Sequence, residues 1–291
     1  MKRQSGQALV LVLLSLAVVL TLVLFILSRS VSDILVSSKS EEAARAFSAA
    51  EAGIEQALVI GTGGSNDNIG NNAGYETTVE AFAENISSFN YPTPMYSGDT
   101  ITVWFVSHDD SGNETCGGGA CFTGNRLTLC WGGDVAGISA TAPALEFSLF
   151  YEMTPGDYAT VRIGRAAFDP NSSRAASSSN FDDIDGACSG IDGVEYAFEK
   201  SLNLSSLMLP GASPDTEGVL RFARIRMLYN TDRPHFVGVM ASGDVFPSQG
   251  INVLSTGTAG TATRRVAVFQ SWPEVPSVFD YAVFSSTGIV K

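Results

Sequence analysis

The chain has 291 residues, of which 45% are hydrophobic and 16% charged; that is about two ordinary domain lengths and excludes a disordered or collagen-like protein. Thirty acidic residues against 17 basic ones leave a net charge of -13, which repels phosphate backbones and excludes bulk nucleic-acid binding as the main role. Two histidines, His108 and His235, and four cysteines are few raw materials for His-based catalysis, so the chain is expected not to be an enzyme.

From Gln7 to Ser28 no residue is charged, and about 20 such apolar residues span a bilayer as a helix. Lys2 and Arg3 precede the run. By the positive-inside rule they hold the N-terminus in the cytoplasm and place the residues after Arg29 outside. A cleavable secretory signal is disfavoured, because its apolar region is about 7–15 residues and ends at small residues, whereas this run ends in Leu27, Ser28 and Arg29. A buried core helix has no use for a surface that is apolar all round. An ordinary uncleaved anchor is the serious alternative.

The helical pattern continues beyond the span, with no Pro or Gly from Ser30 to Ala52. Val31, Leu35, Ala43, Phe47, Ala50, Ile54 and Leu58 recur at helical spacing, with a polar gap over Ser37 to Ser40, and predict one apolar, small-residue face. Glu41 and Arg45 are four apart and are expected to pair. Gly53 is the weak point, costing about 1 kcal/mol relative to Ala, and Gly61, Gly63 and Gly64 end the helix. A helix from Gln7 to Ile60 would be about 80 Å long, longer than an anchor needs.

The leader MKRQSG, the stretch QALVLVLLSLAVV and the segment ARAFSAAEAGIEQAL resemble the N-terminus of type IV pilin-like proteins, in particular the PilX-type minor pilins. The resemblance covers about the first 60 residues and rests on the short basic leader, the span and the helix motif Phe47, Ala49, Ala50, Glu51, Ala52 and Gly53. It implies that a prepilin peptidase cuts between Gly6 and Gln7, that Gln7 is the residue exposed to methylation, and that the mature helix packs with other pilin subunits after storage in the inner membrane. Two positions depart from the family pattern: Gln7 stands where Phe or Met is usual, and Leu11 where Glu is usual. That Glu neutralises a neighbour's α-amino group in low dielectric, an ion pair costly to leave half made. A subunit at a filament tip, or one inserted rarely, tolerates its loss best.

From about residue 75 the apolar period becomes two. Ile101, Val103 and Phe105 alternate with Thr102 and Trp104; Leu145, Phe147, Leu149 and Tyr151 alternate with Glu146, Ser148 and Glu152, and Phe150 joins the polar side. Further strands are predicted in 126–131, 158–167, 219–229, 235–241, 264–270 and 279–284. Gly, Ser, Asn and Pro stretches such as GTGGSNDNIGNNAG and DPNSSRAASSSN separate them. The expected fold class is therefore α+β, a long N-terminal helix followed by a mainly antiparallel, sandwich-like β head. The expected division is a leader at 1–6, the helix at 7–60, a Gly/Asn-rich linker at 61–74 and an extracytoplasmic β domain at 75–291.

Cys116, Cys121, Cys130 and Cys188 all lie in this outward half, where an oxidising compartment favours disulfides over free thiols. Zinc would want two close pairs, and only one is present. The short ETCGGGACF loop suggests Cys116 with Cys121, leaving Cys130 with Cys188. Asp182, Asp183, Asp185 and Asp192 share one Gly-containing segment and are the candidate calcium ligands, but they do not complete the EF-hand spacing, and a solvated acidic loop is favoured, with no cofactor. DDSGNE at 109–114 reads as a hairpin turn through Gly112. Gly137 to Thr141 fails the G-x-S-x-G pattern at its last position, and no P-loop, G-x-G-x-x-G or H-E-x-x-H occurs. The histidines read as packing or surface residues. Arg224 and Arg226 share one strand face, suited to a carboxylate or phosphate, with an ion-paired face as the plainer reading.

The function expected on this basis is a minor or tip subunit of a type IV pilus-like filament, stored as a single-pass membrane protein with its N-terminus inside and its β head exposed at the cell surface. A tip pseudopilin of a type II-like secretion apparatus shares all these features. A membrane-anchored binding protein that never polymerises is the third reading.

Overall fold

The computed structural model describes residues 7–70, 72–109, 111–117, 120–133, 136–137, 139–177, 180–274 and 276. The long helix α1 (Gln7–Ile60) leads into β1 (Gly64–Gly70), β2 (Ala73–Phe82), β3 (Ser88–Asn90), β4 (Thr100–Trp104), β5 (Ser107–His108), β6 (Glu114–Thr115) and β7 (Arg126–Trp131). Then come β8 (Ala144–Glu152), β9 (Val161–Phe168), the short helix α2 (Ser172–Ser177), β10 (Gly186–Ile191), β11 (Val194–Asn203), β12 (Leu220–Leu228), β13 (Val237–Ala241), β14 (Gly250–Ala259) and β15 (Ala262–Ser271). The protein is thus α+β. It divides into two compact units, Met1–Val79 with Val253–Val268, and Glu80–Asn252 with Phe269–Lys291.

In the helical unit, α1 is continuous because nothing before Gly53 breaks it. The few polar residues of the apolar part satisfy themselves locally: Ser15 Oγ donates to Val12 O at 2.9 Å and Thr21 Oγ1 to Val18 O at 2.8 Å, the usual behaviour of helix hydroxyls. Gly61 ends the helix at φ 79°, its N–H bonding Ala57 O at 2.8 Å, a left-handed cap that suits glycine. The accompanying sheet has the order β1-β2-β14-β15. β1 pairs antiparallel with β2, Gly64 facing Thr77 and Gly70 facing Ala73.

The sandwich unit holds a five-stranded sheet, β10-β11-β7-β13-β3, a four-stranded sheet, β4-β12-β8-β9, and the β5-β6 hairpin. Neighbouring strands in these sheets pair antiparallel. One core joins the two sheets: Leu127, Leu129, Trp131, Val237 and Val239 from the first, and Val103, Phe147, Leu149, Ala223 and Ile225 from the second. In β8, Leu145, Phe147, Leu149 and Tyr151 are buried as expected, but the opposite side is only partly open, since Glu146 and Phe150 are half-buried while Ser148 and Glu152 are buried as well. Two of the polar groups inside are bonded, Trp131 Nε1 donating to Pro143 O at 2.7 Å and Tyr151 Oη accepting from Leu209 N at 2.8 Å, which offsets the cost of burying them.

Four sequence expectations are corrected. The linker at 61–74 carries β1 and the start of β2, because strand pairing overrides its turn-like composition. DPNSSRAASSSN holds α2, and the acidic segment runs into β10. Strands β3, β5, β6, β11 and β14 were not anticipated. The strand expected at 279–284 and the leader at 1–6 lie outside the described residues.

Candidate functional site

The helix motif has a defined place in the helical unit. Ala46, Ala49, Ala50, Gly53, Ile54 and Ala57 are buried, a spacing of three and four that forms one helix face. Ala46 and Ala49 cluster with Ala73 and Ala259 of the sheet. A Cβ built at Gly257 of β14 would overlap the Ala46 carbonyl and the Ala50 amide, and one built at Gly53 would overlap Ser255 and Thr77 side chains. Small residues therefore let the backbones approach, as at close-packed helix interfaces. Tyr75 Oη donates to Gln56 Oε1, and Thr77 Oγ1 donates to Ser255 Oγ at 2.8 Å. At the upstream end, Glu42 Oε2 accepts from Thr261 N at 3.1 Å and Thr261 Oγ1 at 3.0 Å. The Thr261 backbone bond, followed by its hydroxyl, holds the Glu42 carboxyl below its usual range.

This face differs from the expected strip. Phe47 is 45% exposed and Leu58 37%, and Val31 and Leu35 are exposed as well; only Ala50 and Ile54 of the predicted residues are buried. The reason is steric, since the approach at Gly257 leaves no room for a phenyl ring. Glu51 is exposed and Ala52 half-buried. Glu41 and Arg45 do approach, at 3.9 Å. Upstream, from Leu9 to Val36, the large apolar side chains are exposed all round the helix, Leu11 among them. This is one helix long and apolar enough to cross a membrane. Gly6 lies outside the described residues, and Gln7 is the first residue of α1.

The cysteines form two pairs at bonding distance, Cys116 with Cys121 at 2.07 Å and Cys130 with Cys188 at 2.06 Å. Glu217 lies beside the first pair and Glu199 beside the second. A disulfide offers no thiolate to a cation, so neither group is a zinc site.

The four candidate calcium ligands are not brought together, and no three of them come within 4.8 Å. Asp185 instead accepts from Lys200 Nζ at 3.0 Å and from Ser201 N at 2.8 Å. Burial pushes its carboxyl up, but those bonds and the lysine charge outweigh burial and leave it lowered. Asp192 sits at φ 48° in the turn between β10 and β11. Asp182 pairs through its backbone with Ala167 and Asp169.

Asp109 closes the β5-β6 hairpin, its carboxylate accepting from Ser111 N and Asn113 N, both at 2.9 Å, which fits the expected turn. His108 lies between Trp104, at 4.5 Å edge-on, and Trp272, stacked at 4.7 Å. Burial first, then the Arg221 charge, pushes its pKa down to about 4 against a weaker pull from Asp109. Arg221 pairs with Glu114 and, at 3.5 Å, with the fully buried Glu152. His235 Nδ1 accepts from Gly133 N at 3.1 Å, which places the neutral ring's proton on Nε2; burial, with Arg233 adding, lowers its pKa. Ser139 of the Gly137 to Thr141 segment faces Thr141 Oγ1 at 3.1 Å, and its carbonyl accepts from Asn171 Nδ2 at 3.1 Å.

Strand register places Arg224 between Thr102 and Ser148, and Arg226 between Thr100 and Glu146. Arg224 is buried, 5.6 Å over the Phe222 ring and 3.9 Å from Glu274, so it belongs to an ion-paired sheet face. Sequence reasoning missed Arg174, whose guanidinium bonds both Asp169 oxygens at 2.7 Å and the carbonyls of Ala140 and Ala142 at 2.6 and 2.7 Å. The Asp-Pro-Asn run was the available signal, because Asp169 also accepts from Asn171 N at 2.8 Å in a local turn. No family model, curated protein or solved structure matches the chain.

Proposed function

We propose that the chain is a minor or tip subunit of a type IV pilus-like filament, held in the membrane by the upstream part of α1 and assembled with other subunits through it. One observation carries the reading: a single helix changes at mid-length from apolar all round, Leu9 to Val36, to a helix packed on its own sheet through Ala46, Ala49, Ala50 and Gly53. Exposed apolar surface of that extent needs lipid or other helices. The packed half is held against the sheet of its own unit at backbone distance, which a tether would not require. The resemblance of the leader and the motif supports the same reading, and Leu11 supports a sparse subunit, since every copy leaves a neighbouring amine without its carboxylate.

Co-expression with a prepilin peptidase tests the processing step. Intact-mass analysis of membrane-extracted protein is expected to begin at Gln7, and Gly6→Val is expected to block the cut. Cysteines placed at Leu16 and Val23 should cross-link to other subunits in sheared filaments, where quantitative mass spectrometry finds this chain far below the main subunit. Unprocessed, uncross-linked protein in cells that make filaments overturns the proposal.

A further inference from the structure

On the outward face of the four-stranded sheet lies a groove of about 480 Å3, walled by Glu146, Arg165, Ala167, Asn180, Phe181 and Leu228. Its polar part comes from strand register. Glu146 faces Ala167 across β9, and Arg165 faces Ser148 one step along the same side, so carboxylate and guanidinium lie side by side at 3.6 Å. Both are partly open to solvent, 22% and 44% exposed. An ion pair in that setting adds little to folding, and its place in a concave site is better explained by recognition.

The aromatic wall is braced. Phe181 lies 6.2 Å from the Tyr229 ring, and Tyr229 has φ 70°, a conformation costly for a bulky residue. It is held there by its N–H bond to Ser97 Oγ at 3.0 Å and by the Arg174 guanidinium 4.1 Å over its ring. Arg174 is itself locked by Asp169 and two carbonyls. Strain persists where the surroundings over-determine it, and such positions cluster at ligand clamps.

We infer that this groove is a saccharide-binding site that takes a neutral sugar. Adjacent hydroxyls of a pyranose present a donor and an acceptor side by side. One hydroxyl donates to Glu146 while its neighbour accepts from Arg165, and the Asn180 amide serves either role. The flat C–H face of the ring packs on Phe181, whose π face is electron-rich, and the Ala167 methyl leaves space for the ring to approach. The volume falls in the range of small-ligand sites and admits roughly one or two sugar rings. An acidic ligand would meet Glu146 on a chain of net charge -13, and Glu146 already balances Arg165.

The test is titration of the full-length protein, in a detergent without a sugar headgroup, by saturation-transfer NMR and calorimetry. The probes are the methyl glycosides of galactose, glucose, mannose and N-acetylglucosamine, with methyl glucuronide as the acidic comparison. At least one neutral glycoside is expected to bind with a dissociation constant of about 1 mM or tighter. Glu146→Gln and Phe181→Ala should each weaken it about tenfold or more, and Arg162→Ala, on the same strand but outside the groove, should leave it unchanged. Near-UV circular dichroism checks that Phe181→Ala stays folded, and Glu146→Gln, which keeps the side-chain volume, carries the test if it does not. No binding by any neutral glycoside, tighter binding of the glucuronide, or binding indifferent to both variants overturns the inference.

Discussion

The helical unit and the sandwich unit bury their surfaces with opposite residues. In the first, the central contact is between alanines and glycines, Ala46 and Ala49 with Ala73, Ala259 and Gly257. In the second, Trp131, Phe147, Phe168, Tyr151 and Phe246 are each at most 1% exposed. Large side chains stabilise by the apolar area they remove from water, about 25 cal/mol per Å2. Alanines remove little, so the helix is held by close approach of backbones and the contacts that approach permits. The two units should therefore fail under opposite substitutions: truncation in the sandwich, enlargement in the helical unit. All three tryptophans lie in the sandwich unit, so their emission reports it, while the 222 nm dichroism reports mainly α1.

The largest effect is expected from Phe147→Ala, about 3–5 kcal/mol of destabilisation through a cavity between the sheets, read as a lower denaturant midpoint by tryptophan emission. A loss under 1 kcal/mol would mean that the sandwich core relaxes freely and that the contrast is wrong. Replacing Cys130 and Cys188 with Ser is expected to follow, at about 2–4 kcal/mol, because that pair closes a far longer loop than Cys116 with Cys121. If the two double variants have equal midpoints, loop length is not what governs these bonds.

Enlargement comes next. Gly257→Ala should cost about 1–3 kcal/mol, since the new methyl meets helix backbone, which cannot rotate away. Its mirror, Ala49→Gly, should cost about 1 kcal/mol, the helix propensity difference. The measurement is the helix signal during denaturation in detergent, and Gly257→Ala proving the milder of the two would remove the case for backbone contact.

The same contrast explains what the sequence reveals. The uncharged run Gln7 to Ser28 and the alternation in β4 and β8 are local patterns of apolar side chains, and both elements appear where the pattern puts them. The buried face of α1 is not local. Ranking residues by hydrophobicity selects Phe47 and Leu58, whereas the sheet selects Ala46, Ala49 and Gly53 because Gly257, two hundred residues away, sets the distance. Strand β1 is exposed at every position, so GSNDNIG carries no apolar period to find. β10 contains register shifts around Cys188, and its glycines with the flanking Asp185 and Asp192 read as a loop. The acidic residues there invited a cation, but the charge that decides the fate of Asp185 is Lys200, which belongs to the neighbouring strand β11. The groove escaped for a similar reason: Glu146, Arg165 and Phe181 meet only once β8, β9 and the segment after α2 are in place.

The smallest predicted effect separates the units by pH. His108 has a folded pKa of about 4 against about 6.5 when unfolded. Between these values the unfolded chain binds more protons than the folded one, so stability rises with pH across the window and falls as pH drops from about 6.5 to about 4. The groups facing the ring agree in sign on balance: burial between Trp104 and Trp272 and the Arg221 cation disfavour the charged imidazole, and Asp109 opposes them weakly. His235 is shifted the same way by burial. Both histidines belong to the sandwich unit. In the helical unit, Glu42 is held below its ordinary value of 4.5, so its contribution is present above about pH 4.5 and is lost only as the pH falls through its lower folded pKa. Acidification from about pH 6.5 to about 4.5 is therefore expected to lower the tryptophan-monitored midpoint and leave the helix-monitored one in place. The His108 share is on the order of 1 kcal/mol, well under the full value of its shift because the ring is only half buried. His108→Phe keeps the stacking and removes the titration, so it should flatten the slope to the part that His235 supplies. An unchanged slope in that variant would assign the pH response to His235 alone, and a parallel loss in both signals would mean that the two units do not unfold independently.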